Sequence, residues 1–385
     1  MNAPVPASPP PASRRDDLLD ILRGVGLVGV GAVNLVAFNY DSAYVAEYAG
    51  QFPQAGQQLG FTVFMIFLKG KFYPIMALVF GLAAALALEA KGPIPFVRRA
   101  LVLGGLGLLQ LAFIWNGDVL HQYALMSLLL LGIRRWPPTV RLSLAVTLFL
   151  VSFAPIGSAA DASTQLPFAT IRESLQHGSF AEVTRTRLGL SSFSFWSPEA
   201  LVFQARIFGW LLLGHFLGEH ARYRRWVQRW PALRLLGAAL AALGGAGILL
   251  QVSGLRGEEP STPALAALKL GLVALFYAGN VLVLVSAPLV WYTTVFGRRL
   301  LTWLAPLGRM SLTHYLFQNL LYSLLFYGYG LGLYASLPPL TLLAAYVPLI
   351  LLQALVSGWW LRRFRQGPLE WLLLRLTRSS PATPD

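Results

Sequence analysis

An aspartate and a histidine three residues apart, Asp118 and His121, lie in Trp115-Asn-Gly-Asp-Val-Leu-His-Gln-Tyr123 between two hydrophobic runs. If the chain is helical from Val119 onward, both groups fall on one helix face. His121 can then serve as general base toward an acceptor hydroxyl or amine, or carry an acyl group transiently, with Asp118 orienting its ring. An imidazole suits that work because its pKa lies near neutrality. The structural alternative is an N-capping Asp118 beside an interfacial histidine.

Other polar groups are set into apolar runs in the same way. Asp20 and Arg23 are spaced to pair, either as an N-cap with a snorkelling arginine or as the guard of a pocket for a phosphorylated, acyl-carrying cofactor. Asn34 and Asn39 end the same run, as a helix C-cap or as pocket donors. Lys69 and Lys71 flank a glycine, as interfacial anchors or as an anion-binding turn. Arg309 precedes Ser311, the expected N-cap of a helix on which His314 and Gln318 share a face. So polar a face points into a bundle, as interhelical hydrogen-bonding or as substrate contacts. His177, His215 and His220 read as loop or inner-surface residues. Histidines so dispersed, with few acids nearby, predict no metal site. The lack of cysteine excludes disulfides, thiolate catalysis and Cys-based metal sites.

The elements that must position these groups follow from composition. The chain has 385 residues, 56% hydrophobic and 12% charged, about half the charged share of a soluble domain. Repeated apolar runs of about 20 residues define an all-α, polytopic transmembrane helix bundle. Ten spans are expected: Leu19–Phe38, Tyr73–Glu89, Phe96–Trp115, Val119–Ile133, Leu142–Ile156, Ala200–Gly218, Leu233–Val252, Pro263–Tyr292, Ser311–Tyr327 and Leu340–Leu361. Gln57–Leu68 is apolar but short, as a re-entrant or interfacial piece would be. With both termini cytoplasmic, the inside segments hold 22 of the 30 Lys and Arg residues. The net charge of +14 is thereby explained by topology, and nucleic acid is not an expected partner.

Around this transmembrane domain, residues 16–366, the sequence predicts a disordered Pro/Ala-rich tail over 1–15. It also predicts an outer loop over 157–199 with an amphipathic helix near Phe168–Arg187, and a cytoplasmic amphipathic helix and tail over 367–385. No internal repeat of the kind found in many transporters is visible.

Several stretches resemble, in order along nearly the whole chain, the YeiB-like family of bacterial inner-membrane proteins, a domain of unknown function. They are Asp20-Ile-Leu-Arg-Gly24 with Val33-Asn34, Lys71-Phe-Tyr-Pro74 with Val79-Phe-Gly81, and Gly117-Asp-Val-Leu-His-Gln-Tyr-Ala-Leu125. They continue with Gly308-Arg-Met-Ser-Leu-Thr313, Phe326-Tyr-Gly-Tyr-Gly330 and Gly367-Pro-Leu-Glu-Trp371. His314 departs from the asparagine more usual there. The family looks distantly similar to transmembrane acyltransferases such as heparan glucosaminide acetyltransferase, which share an opening like Leu19-Asp20-x-x-Arg23-Gly24. That resemblance implies transfer of an acyl group from cytoplasmic acyl-CoA, acetyl or longer, to a lipid or glycan acceptor at the outer side of the inner membrane. Asp20, Arg23 and Arg309 would hold the cofactor, His121 and Asp118 would do the chemistry, and Asn34, Lys71, His314 and Gln318 would contact substrate. The alternative is a transporter or a binder of lipids or small amphiphiles. The bilayer is the one certain partner, and self-association is left open.

Overall fold

The computed structural model describes residues 17–153, 166–190, 198–223, 229–254 and 262–377. The tail over 1–15 and the chain beyond 377 lie outside the described residues. The helices are α1 (Asp17–Asn39), α2 (Val45–Gly50), α3 (Ala55–Val63, prolonged by a π-turn over Phe64–Leu68), α4 (Tyr73–Lys91), α5 (Pro93–Phe113), α6 (Leu120–Ile133), α7 (Pro138–Val151), α8 (Phe168–His177) and α9 (Phe180–Gly189). They continue with α10 (Pro198–Gly218), α11 (Trp230–Gly254), α12 (Pro263–Tyr292), α13 (Val295–Leu301), α14 (Leu304–Arg309), α15 (Ser311–Phe326), α16 (Pro339–Arg363) and α17 (Pro368–Thr377). Among the described residues, six helical segments are long and apolar enough to cross a membrane, and α6, α7 and α11 add shorter apolar stretches. No strand occurs among the described residues. The protein is an all-α, multi-pass membrane helix bundle.

Close approach of backbones sets the packing. A side chain on Gly308 would strike the Asp20 carbonyl oxygen, and one on Gly24 the Leu304 carbonyl, so α14 lies directly on the first turns of α1. On α4 and α10, Gly81, Gly214 and Gly218 do the same, each facing backbone of the opposite helix. Without a hydrophobic drive between helices in lipid, contact through small residues is what holds such pairs.

Several expectations are corrected by position. The helix at the fifth expected span, α7, begins at Pro138, four residues ahead of the expected Leu142. Proline is preorganised for a first helical turn. Arg141 is therefore not a loop residue: it is buried and donates to both Glu219 carboxylate oxygens (2.7 and 3.0 Å) and toward His215 Nδ1 (2.9 Å). His215 is thus a buried interhelical partner and not a surface residue. The single helix expected near Phe168–Arg187 is two, α8 and α9, broken at Gly178, with Ser179 and Glu182 forming a capping box for the second. Arg187 reaches from α9 to the Ala112 carbonyl at the end of α5 (3.3 Å), which ties the hairpin to the bundle. Ser311 does not cap α15. Glu370 does, from α17: its Oε1 accepts from the Leu312 and Thr313 amides (2.7 and 3.1 Å), and Oε2 accepts from the Thr313 hydroxyl (2.6 Å). These bonds satisfy amide donors that an unprotected helix start leaves orphaned.

Candidate functional site

α5 and α6 are joined by a short turn over residues 114–119 that folds Asp118 back into the bundle. Gly107 makes this fold-back feasible. A Cβ there would meet the His121 backbone nitrogen and lie 2.9 Å from Asp118 Oδ2, so α5 can touch the turn only through a glycine. Gly107 stands fourteen residues into α5, about 21 Å along its axis. The Asp118–His121 turn is therefore recessed below the end of α5, under Trp115, which is buried and stacks on Phe38 at 4.4 Å.

Asp118 is buried among donors. Oδ1 accepts from the Tyr315 hydroxyl (2.6 Å) and Gln110 Nε2 (3.4 Å); Oδ2 accepts from the Leu120 amide (3.0 Å) and faces His121 Nδ1 (3.1 Å). The N-cap position of α6 is Val119; the Asp118 carboxylate, one residue earlier, accepts from the Leu120 amide and lies against the His121 ring. Its acceptor sites are filled by these neighbours. The groups it positions are His121 and Tyr315. A carboxylate facing Nδ1 selects the tautomer with the proton there and the lone pair on Nε2.

The network continues through the bundle. Gln110 Oε1 accepts from Asn319 Nδ2 (2.8 Å), and Asn319 Oδ1 accepts from Asn34 Nδ2 (3.3 Å). Asn34, Gln110, Asp118, His121 and Asn319 are all buried. Sequence reasoning missed Gln110, Tyr315 and Asn319. The available signal was a helical stretch of α15 carrying Tyr315, Gln318, Asn319 and Tyr322 in otherwise apolar surroundings.

Tyr315 also connects this network to a cavity of about 230 Å³. The upper wall consists of Val119, Leu120, Tyr123 and Tyr315, and the sides of Leu27, Val30, Met76, Val79, Phe80 and Leu103. At the opposite end it is lined by Arg23, Arg99, Arg309, Gln366 and Glu370, and Leu373 and Leu374 of α17 close one flank. Arg23 pairs with the buried Asp20 at 3.0 Å, and Arg309 donates to the Arg365 carbonyl at 3.0 Å. The structure thus brings Arg23 and Arg309 together, adds Arg99, and joins the whole through Tyr315 to Asp118 and His121.

The remaining predicted residues lie elsewhere. His314 Nε2 meets the Ser357 hydroxyl at 2.5 Å and Gln318 Nε2 donates to Gln353 Oε1 at 2.8 Å, so both face α16 and stitch two helices. Lys71 is buried on the far side of α4, donating to the Lys69 carbonyl (3.0 Å). Asn39 bonds Tyr48 (2.9 Å) and the Leu337 carbonyl (2.7 Å), holding the far end of α1.

A helix bundle with a basic-mouthed cavity and a Tyr–Asp–His group around the buried Asp118 defines a multi-pass membrane protein with an internal amphiphilic site. Residues 217–380 match the family described as "Protein of unknown function (DUF418)". The chain is similar along 94% of its length to the uncharacterized protein YxaH of Bacillus subtilis (strain 168), at 28% identity over 93% of that protein. It is equally similar to the uncharacterized protein YeiB of Escherichia coli (strain K12), at 28% identity over 94% of this chain and 96% of that one. An uncharacterized 39.9 kDa protein of Bacillus acidopullulyticus is 29% identical over 93% of this chain and 92% of its own. No solved structure matches. The resemblance read from the scattered motifs agrees with these comparisons: YeiB is among the similar proteins, and residues 217–380 match DUF418.

Proposed function

We propose that the protein is an acyltransferase of the bacterial inner membrane, using cytoplasmic acyl-CoA as acyl donor. The observation that carries this reading is the cavity: three arginines at its mouth, apolar walls, and Tyr315, bonded to Asp118, at its inner end. Arg23, Arg99 and Arg309 suit phosphate oxygens through charge-assisted hydrogen bonds. The apolar walls suit a pantetheine arm and a short acyl group. His121, held by Asp118, is the general base toward the acceptor, which attacks the thioester carbonyl as CoA leaves as its thiol; Tyr315, whose hydroxyl proton is given to Asp118, holds that carboxylate in place. The acceptor, a lipid or glycan, approaches from the outer side; the basic loops on the side of the arginine mouth support a cytoplasmic mouth.

Binding of acyl-CoA to the purified full-length protein tests this. Calorimetry and thermal shift in detergent should show acetyl-CoA or a longer acyl-CoA stabilising the protein. Arg23→Ala, Arg99→Ala and Arg309→Ala should each weaken binding about 10- to 100-fold, the loss of one charge-assisted contact. Absence of stabilisation by any acyl-CoA, short or long, would sink the proposal.

A further inference from the structure

A second basic cluster lies on the far side of the bundle, between α4, α7, α10 and α12, away from the cavity. Lys71 and Arg206 share one aromatic box: the Lys71 ammonium is 5.4 Å from the Tyr277 ring centroid, and the Arg206 guanidinium is 5.2 Å from the same centroid and 4.5 Å from that of Phe153. Their charges are close enough to repel. Among the described residues neither forms an ion pair. Lys71 donates only to the Lys69 carbonyl (3.0 Å). Arg206 donates to the Ser152 hydroxyl (3.1 Å), the Ser152 carbonyl and the Tyr73 hydroxyl (3.2 Å). Counting N–H groups, two on Lys71 and two on Arg206 are left for another partner.

Two cations in one apolar, aromatic setting repel each other and lose hydration, and neither neutral oxygens nor ring faces return a full charge. Burial of Lys71 makes solvation a poor substitute. We infer that Lys71 and Arg206 form an anion site for a phosphate-type oxyanion on the outer side of the membrane. The oxyanion brings the missing negative charge and enough acceptor oxygens for both cations. Tyr73 and Tyr277 fix the geometry: Tyr277 donates to the Gly70 carbonyl (2.5 Å), closing the turn that carries Lys71, and Tyr73 holds Arg206. The site shares no lining residue with the arginine-mouthed cavity, so it stands or falls independently of the acyl-CoA reading.

The same chemistry is offered by free phosphate and by a phospholipid headgroup, and the test separates them. The melting temperature of the full-length protein in neutral detergent is followed against inorganic phosphate, against potassium chloride at equal ionic strength, and against mixed micelles containing phosphatidylglycerol or, as the phosphate-free control, diacylglycerol. Phosphate or phosphatidylglycerol should raise the melting temperature saturably, by about 2 °C or more beyond its control. A response to phosphatidylglycerol alone assigns the site to lipid headgroups; a response to both assigns it to the oxyanion itself. Lys71→Gln and Arg206→Gln should each abolish the response, and Lys71→Arg should keep it. No response of the unaltered protein beyond the controls overturns the proposal whether or not the variants fold. A response that survives in both glutamine variants overturns it as well.

Discussion

At the residue scale, the candidate site is organised by a carboxylate whose work is positional. Asp118 receives Tyr315, Gln110, the Leu120 amide and His121; the last three bonds are buried and the first partly so. Asp118→Ala should lower stability by about 3 kcal/mol or more, because several buried donors lose their acceptor together; a thermal melt in detergent reads this. Tyr315→Phe removes one hydroxyl and leaves the packing. It takes one donor from Asp118, so for an acyl transferase it should reduce kcat about 10-fold through a looser His121, with acyl-CoA binding unchanged, measured by turnover beside calorimetry. A parallel loss of binding would instead make Tyr315 a wall residue. Asp118 and His121 were legible in the sequence because their spacing is local. Tyr315 was not, since its 197-residue separation from Asp118 leaves no local pattern.

At the element scale, helices here are completed by side chains from elsewhere. Glu370 of α17 caps α15, which explains the Gly367-Pro-Leu-Glu-Trp371 stretch: Gly367 leaves room for the carboxylate, and Pro368 opens the short helix that presents it. Glu370→Ala should destabilise by about 1–2 kcal/mol, with Glu370→Gln recovering part through its amide oxygen, as judged by melting temperature. Because α17 also flanks the cavity, the alanine variant should loosen ligand binding with it. On the other flank of the bundle, Glu219 joins Arg141 and Arg222. Burial pushes its carboxyl up, but the hydrogen bonds from Arg141 and Arg222 prevail and hold it below the ordinary glutamate value. The folded-state value is depressed, so the pair's stabilisation is complete above the unfolded value, about 4.3, and is lost as pH falls through the folded one. A melt series from pH 7 to pH 3 should therefore show a loss below about pH 4 that is smaller in Glu219→Gln. That variant should already be less stable at pH 7, because Arg141 is left without its counter-charge.

At the scale of the whole molecule, the basic loops and the cavity mouth share one face, while the α8–α9 hairpin lies over the other. The chain has no cysteine, so single introduced cysteines report sidedness without background. His177→Cys on the exposed end of α8 should react with an impermeant maleimide in intact cells, and Arg363→Cys, exposed at the end of α16, only after permeabilisation. The reverse pattern would invert the orientation and move the arginine mouth outside.

The sequence by itself determined the bundle, the order of its helices and the clustering of its cations, since span length and loop charge are local properties set by the bilayer. It also marked Asp118, His121, Arg23 and Arg309 as polar groups placed at hydrocarbon boundaries. Only the tertiary structure decided which of these act together. Arg23 and Arg309 meet because Gly24 and Gly308 let two backbones touch, and Asp118 is recessed because Gly107 lets α5 cross its turn. His314 and Gln318, equally polar in sequence, were instead assigned to α16 by the rotation of α15. A helix's rotation about its own axis is fixed by the partners it packs against, and those partners are distant in sequence.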